Sequence, residues 1–86
     1  MTYRVDWSRQ SIRDLRRLDK PIARRIINAV ETFAEIGRGD VKKLTNADGQ
    51  YRLRVGDWRV RFTVETEVQI LSVLRVLPRG EVYKHM

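Results

Sequence analysis

The residues best placed to do chemistry in this sequence are arginines. Arg52 and Arg54 alternate with Tyr51, Leu53 and Val55, and Arg59 and Arg61 alternate with Trp58, Val60 and Phe62. A period of two puts each arginine pair on one face of a strand. Gly56-Asp57 between the runs suits a two-residue hairpin loop of type II′, which takes glycine first. Arg75, in the apolar run that follows, joins the same set. Like charges placed opposite each other destabilise a sheet by a few tenths to about 1 kcal/mol per pair. Such crowding is tolerated best where an anion occupies the space between the charges. Arginine fits that use, because its planar fork donates two bonds to a phosphate and it keeps its proton near neutrality. The pattern predicts a phosphate-binding surface; a solvated face that confers solubility is the plainer alternative.

Composition narrows the partners and excludes other chemistries. Eighteen Lys and Arg against eleven Asp and Glu leave a net charge of +7 on 86 residues, which points to a polyanionic partner. There is no cysteine, so disulfide scaffolds, thiol catalysis and Cys-ligated metals are out. His85 is the only histidine, which removes a His-cluster metal site and leaves a Ser–His–Asp triad dependent on the penultimate residue. No metal and no cofactor is expected. The opening residues carry charges throughout, unlike a signal peptide, and the longest mainly apolar stretch, Val68 to Leu77, is too short to span a bilayer. A cytoplasmic protein without a membrane partner is expected, built as a single domain over residues 1–86.

The elements that must position the arginines follow from periodicity. Tyr3 to Trp7 alternates as a short strand, and Ser8 then suits a helix N-cap, with Trp7 and Ile12 spaced as a hydrophobic staple. A first helix is predicted from about Arg9 to Leu18 with Ile12, Leu15 and Leu18 buried. A second begins at Pro21, buries Ile22, Ile26, Val30, Phe33 and Ala34, and stops at Gly37. The outer side of this helix hairpin is basic, with Arg9, Arg13, Arg16, Arg17, Lys20, Arg24 and Arg25; solvated helix faces commonly look like this. Val41 to Leu44 reads as an irregular connection between turns. Val68 to Leu77, apolar on both faces, reads as a central strand, broken by Pro78-Arg79-Gly80, with Glu81 to Tyr83 as a short last strand. The expected class is α+β: an N-terminal strand and an antiparallel two-helix hairpin packed on a twisted antiparallel sheet.

The run Tyr51-Arg52-Leu53-Arg54-Val55-Gly56-Asp57-Trp58-Arg59-Val60-Arg61-Phe62 resembles the central hairpin of the RelE/ParE toxin superfamily. Lys43-Leu44 before it and Arg79-Gly80-Glu81-Val82-Tyr83 after it are similar to that family's flanking segments, as is Leu15-Arg16-Arg17-Leu18 leading to a helix headed by Pro21. The resemblance spans essentially the whole chain, in the family's element order. It implies the toxin of a type II toxin–antitoxin pair, restrained by an acidic RelB-like antitoxin. RelE-like members cleave messenger RNA in the A site of the 70S ribosome by attack of a ribose 2′-hydroxyl on the adjacent phosphate. ParE-like members share the fold and poison DNA gyrase instead. A non-catalytic nucleic-acid-binding domain is a third reading that charge alone supports.

Carried over by position, the resemblance implies catalytic roles for Arg52, Arg54, Arg59, Arg79 and Tyr83. Arg59 and Arg79 would stabilise the phosphate, and Tyr83 would orient or deprotonate the nucleophile. Arg52 and Arg54 would support the leaving group. RNA contacts are expected from Arg61, Arg75, Lys42 and Lys43. Tyr83 has an ordinary pKa near 10 and could act as a base only if neighbouring cations lower it; an aromatic covering the sheet edge is its alternative role.

Overall fold

A computed structural model describes residues 2–45 and 48–81. Among these, the element order is β1 (Arg4–Trp7), α1 (Arg9–Arg16), α2 (Lys20–Ile36), β2 (Asp40–Lys43), β3 (Gln50–Val55), β4 (Trp58–Glu65) and β5 (Ile70–Pro78). The strands form one sheet in the order β1-β5-β4-β3-β2.

Helix α1 starts where its cap predicts. The Ser8 hydroxyl accepts the Ser11 N–H at 3.0 Å, satisfying one of the donors that a first turn leaves open. Its buried side differs from the predicted stripe: Ser11 and Asp14 are buried, whereas Ile12 is exposed. Helix α2 carries Pro21 in its first turn and ends on Gly37, whose φ of 74° is the left-handed cap conformation glycine takes without strain. Ile26, Val30 and Ala34 recur at helical spacing and are buried against the sheet. The facing positions are Leu53, Val55, Val60, Phe62, Leu71, Val73 and Val76, and together these form the core. Phe62 packs between Phe33 and Tyr51 at 5.6 Å from each ring centre. Truncating a large residue in such a core costs about 3–5 kcal/mol.

Three features of the sheet depart from the sequence expectation. The sheet is mixed, because β1 pairs parallel with β5 through Arg4↔Ile70 to Trp7↔Val73 while the other pairings are antiparallel. The segment expected as an irregular connection is strand β2, paired with β3 through Asp40↔Arg54, Val41↔Leu53, Lys42↔Arg52 and Lys43↔Tyr51. The central strand begins at Ile70 instead of Val68, which is exposed in the turn. The Gly56 turn agrees with prediction: its φ is 60° while Asp57 keeps a negative φ, the type II′ signature. A Cβ on Gly56 would lie 3.1 Å from the Arg25 guanidinium, so α2 closes over the turn. Glu81 lies in a turn, and the rest of the expected last strand, residues 82–83, is outside the described residues.

The seam between α1 and β5 explains how the sheet ends. Strand β1 covers β5 only as far as Val73, where the β4–β5 register shifts beyond Arg61 and leaves Leu74 as the extra residue. From there α1 takes over the open edge. Ser8 donates its N–H to the Val73 carbonyl at 3.0 Å and its hydroxyl to the Leu74 carbonyl at 2.9 Å. Asp14 then accepts the Val76 N–H at 2.8 Å. Backbone groups that a neighbouring strand would satisfy are satisfied by a serine and an aspartate.

Candidate functional site

Register alone assembles the cationic surface. Lys42, Arg52, Arg61 and Arg75 lie in one cross-strand row over β2, β3, β4 and β5. With strands about 4.8 Å apart, the row crosses about 14 Å. The adjacent row runs Asp40, Arg54, Arg59, Leu77. Both rows face away from α2, because Leu53, Val60 and Val76 between them are core residues. Leu77 is buried and packs with Leu44 as a second small apolar cluster, so Arg59 stands beside an apolar neighbour.

Each cation has a distinct environment. Arg59 is half-buried and folded back on its own hairpin turn, its Nη1 donating to the carbonyls of Gly56 at 2.9 Å and Trp58 at 3.0 Å. Burial first, and then the charges of Arg54, Arg52 and Arg79, push its pKa below the ordinary arginine value, against a small opposing pull from Asp40. Arg79 therefore belongs to this cluster. Its turn is anchored to the hairpin by its own N–H, which donates to the Asp57 carbonyl at 2.8 Å. Arg52 Nη1 donates to the Asp40 carbonyl at 3.0 Å and to its carboxylate Oδ1 at 3.2 Å. Arg54 is exposed, with Nη1 3.9 Å from the other oxygen of the same carboxylate. Arg61 Nε donates to Gln50 Oε1 at 2.6 Å. Burial, followed by the charge of Arg75, lowers its pKa as well.

Two predicted RNA contacts are placed differently. Arg75 is held by the buried Asp14 carboxylate in a parallel fork, Nε to Oδ2 at 2.9 Å and Nη2 to Oδ1 at 3.2 Å, so its charge is engaged in tying α1 to the sheet. Lys43, opposite Tyr51, lies on the α2 side of β2, while exposed Lys42 shares the arginine face. Tyr83 and His85 lie outside the described residues. The structure thus brings Arg52, Arg54, Arg59, Arg61, Arg79 and Lys42 to one region. Sequence reasoning missed Asp14, Asp40 and Gln50. Asp40 precedes Lys42 by one strand period, a signal that becomes visible only once β2 is recognised as a strand.

Chemically, the arrangement holds guanidinium donors close to one another, a geometry that suits an anion. Fixed guanidinium donors surrounded by like charge gain more from a bound anion than free side chains do, because the anion relieves repulsion already present. That architecture, α2 on one face of a mixed sheet, α1 along the edge of β5 and arginines on the other face, defines a class of small cationic α+β protein that known proteins share. Residues 5–83 match the family described as ParE toxin of type II toxin-antitoxin system, parDE. The chain belongs to this family and is a type II toxin–antitoxin toxin of the RelE/ParE group. In sequence it is similar to the putative toxin RelE1 of Methanocaldococcus jannaschii, 25% identical over 89 residues and covering 99% of each chain. In structure it is similar to the toxin in the RelE–RelB complex from Pyrococcus horikoshii, with a TM-score of 0.78 and 31% identity over 95% of this chain and 100% of that one. The free form of an arginine-to-alanine double variant of Escherichia coli toxin RelE has the same fold, with a TM-score of 0.80 at 17% identity over 99% and 92% of the two chains.

Proposed function

We propose that this toxin is an endoribonuclease that cleaves messenger RNA in the A site of the 70S ribosome and so inhibits translation. The observation that carries the reading is the Arg59 cluster: a half-buried guanidinium fixed by two carbonyls and close enough to Arg54, Arg52 and Arg79 for their charges to lower its pKa. Similarity to proteins named RelE supports the same reading.

In the reaction, the ribose 2′-oxygen bonds to the adjacent phosphorus as the bond from phosphorus to the 5′-oxygen breaks. A base takes the 2′-hydroxyl proton and an acid returns one to the 5′-oxygen, leaving a 2′,3′-cyclic phosphate and a 5′-hydroxyl. Arg59 and Arg79 stabilise the negative charge that grows on the phosphoryl oxygens. Arg52 and Arg54 stabilise the departing oxygen, and Lys42 and Arg61 extend the contact along the strand. Tyr83 is assigned the nucleophile's proton through the family resemblance. No metal and no cofactor takes part. A preorganised cation of this kind contributes about 100- to 1,000-fold to the rate. The protein acts in the cytoplasm and is restrained by an acidic RelB-like antitoxin, whose charge complements the +7 surface.

The test is primer-extension mapping of a defined mRNA incubated with the purified toxin, with and without programmed ribosomes. Cuts in the A-site codon that require ribosomes support the reading. The family match to ParE favours one second reading, inhibition of DNA gyrase without RNA cleavage. Uncut mRNA from folded protein, with loss of gyrase supercoiling, would replace the first reading by the second.

A further inference from the structure

The arginine face already contains an anion of its own. Asp40 is 56% exposed, yet one oxygen of its carboxylate bonds Arg52 and the other lies 3.9 Å from Arg54. By register it occupies the same row as Arg54 and Arg59. A single carboxylate bridging two arginines presents two oxygens to two guanidinium groups, as a phosphodiester would. Asp40 also partly offsets the crowding that lowers the Arg59 pKa, so its charge reaches the centre of the cluster. Asp14, the other carboxylate engaged with an arginine of this face, is buried and committed to Arg75 and the Val76 N–H. Asp40 differs in being at the surface, where exchange for an incoming anion costs little desolvation.

We propose that Asp40 is a built-in competitor for the anion site: its carboxylate holds the Arg52–Arg54 pair until a phosphodiester displaces it, and so limits affinity for single-stranded RNA. The inference rests on the reading of this face as an RNA-binding surface. Arg52 keeps its bond to the Asp40 main-chain carbonyl when the side chain is changed, so the guanidinium stays positioned while the competing charge is lost. Binding should therefore strengthen on neutralisation, the reverse of what loss of a positioning residue does.

The experiment compares wild type with Asp40→Asn and Asp40→Ala, using fluorescence anisotropy with a short single-stranded 2′-O-methyl oligoribonucleotide that cannot be cleaved. Asp6→Asn supplies the control, because Asp6 pairs with Arg4 on β1 and its removal changes net charge equally. Both Asp40 variants should bind about three- to tenfold tighter than wild type and more tightly than Asp6→Asn, with a steeper salt dependence. Equal tightening by Asp6→Asn overturns the proposal, since net charge alone would then account for it. Weaker or unchanged binding by Asp40→Asn overturns it too, as does absence of binding in every variant. The ribosome assay keeps the two readings apart. Tighter RNA binding without ribosomal cuts retains the competitor and removes the nuclease; ribosomal cuts with unchanged binding do the opposite.

Discussion

Arg75 and Arg59 sit one row apart on the same face of the same sheet, and the fold uses them in different ways. Arg75 meets a carboxylate that is itself buried, makes a two-bond fork with it, and closes the seam between α1 and β5. Arg59 meets carbonyl oxygens and other arginines, so its charge is positioned and, among the described residues, no carboxylate bonds it. Residue type is identical; the nearest acid decides the role. The first guanidinium is neutralised by a buried aspartate and the second is crowded by its own kind; we propose that only the second serves a ligand.

The largest effect is expected at the seam between α1 and β5. Asp14→Ala leaves Arg75 without its partner and the Val76 N–H unsatisfied, and should destabilise the protein by about 3 kcal/mol. For a chain this size that is a fall of more than about 10 °C in Tm, read by thermal denaturation. A fall under a few degrees would remove the structural assignment of Arg75. Arg59→Gln tests the other side. It should raise stability by at most about 0.5 kcal/mol, because it relieves a solvent-screened repulsion from Arg54, Arg52 and Arg79 while glutamine keeps a donor for the turn carbonyls.

The sign of that gain fixes its pH behaviour. A base whose folded pKa lies below its unfolded value pays a penalty that is fully present at lower pH and is lifted only as pH rises past the folded pKa. The gain from Arg59→Gln should thus be flat from about pH 5 to 9, where arginine stays charged in both states. A pH-dependent gain in that window, measured by urea unfolding, would point to another titrating group. Sulfate should stabilise wild type more than Arg59→Gln at matched ionic strength, a shift of a few degrees if one anion binds the cluster. Arg54→Ala, at an exposed position, should change stability by less than about 0.5 kcal/mol while weakening RNA binding.

Much of this arrangement was legible in the residues. Alternation placed Arg52, Arg54, Arg59 and Arg61 on one face, Gly56 marked the turn, and Ser8 and Gly37 marked helix ends, because these features are local. Strand β2 was not legible: Asp40-Val41-Lys42-Lys43 is short and mostly charged, and only its pairing with β3 makes it a strand. The parallel contact of β1 with β5 joins residues more than sixty positions apart and leaves no local trace. Asp14 was hidden because an aspartate on an amphipathic helix ordinarily faces water. Its spacing of three from Ser11, on the side shared with Leu15 and Leu18, was the available clue. That clue also accounts for the misplaced Ile12, since the seam needs small and polar groups where a stripe rule expects an aliphatic one.

We propose that Arg59 acts on the phosphate while Arg75 serves the fold. The direct measurement is the rate of A-site mRNA cleavage on programmed ribosomes, by primer extension, for wild type, Arg59→Ala and Arg75→Met, each confirmed folded by circular dichroism. Cleavage about 100-fold slower or worse is expected for Arg59→Ala, with Arg75→Met within a few-fold of wild type once its lower stability is allowed for. Cleavage by Arg59→Ala at the wild-type rate would contradict it.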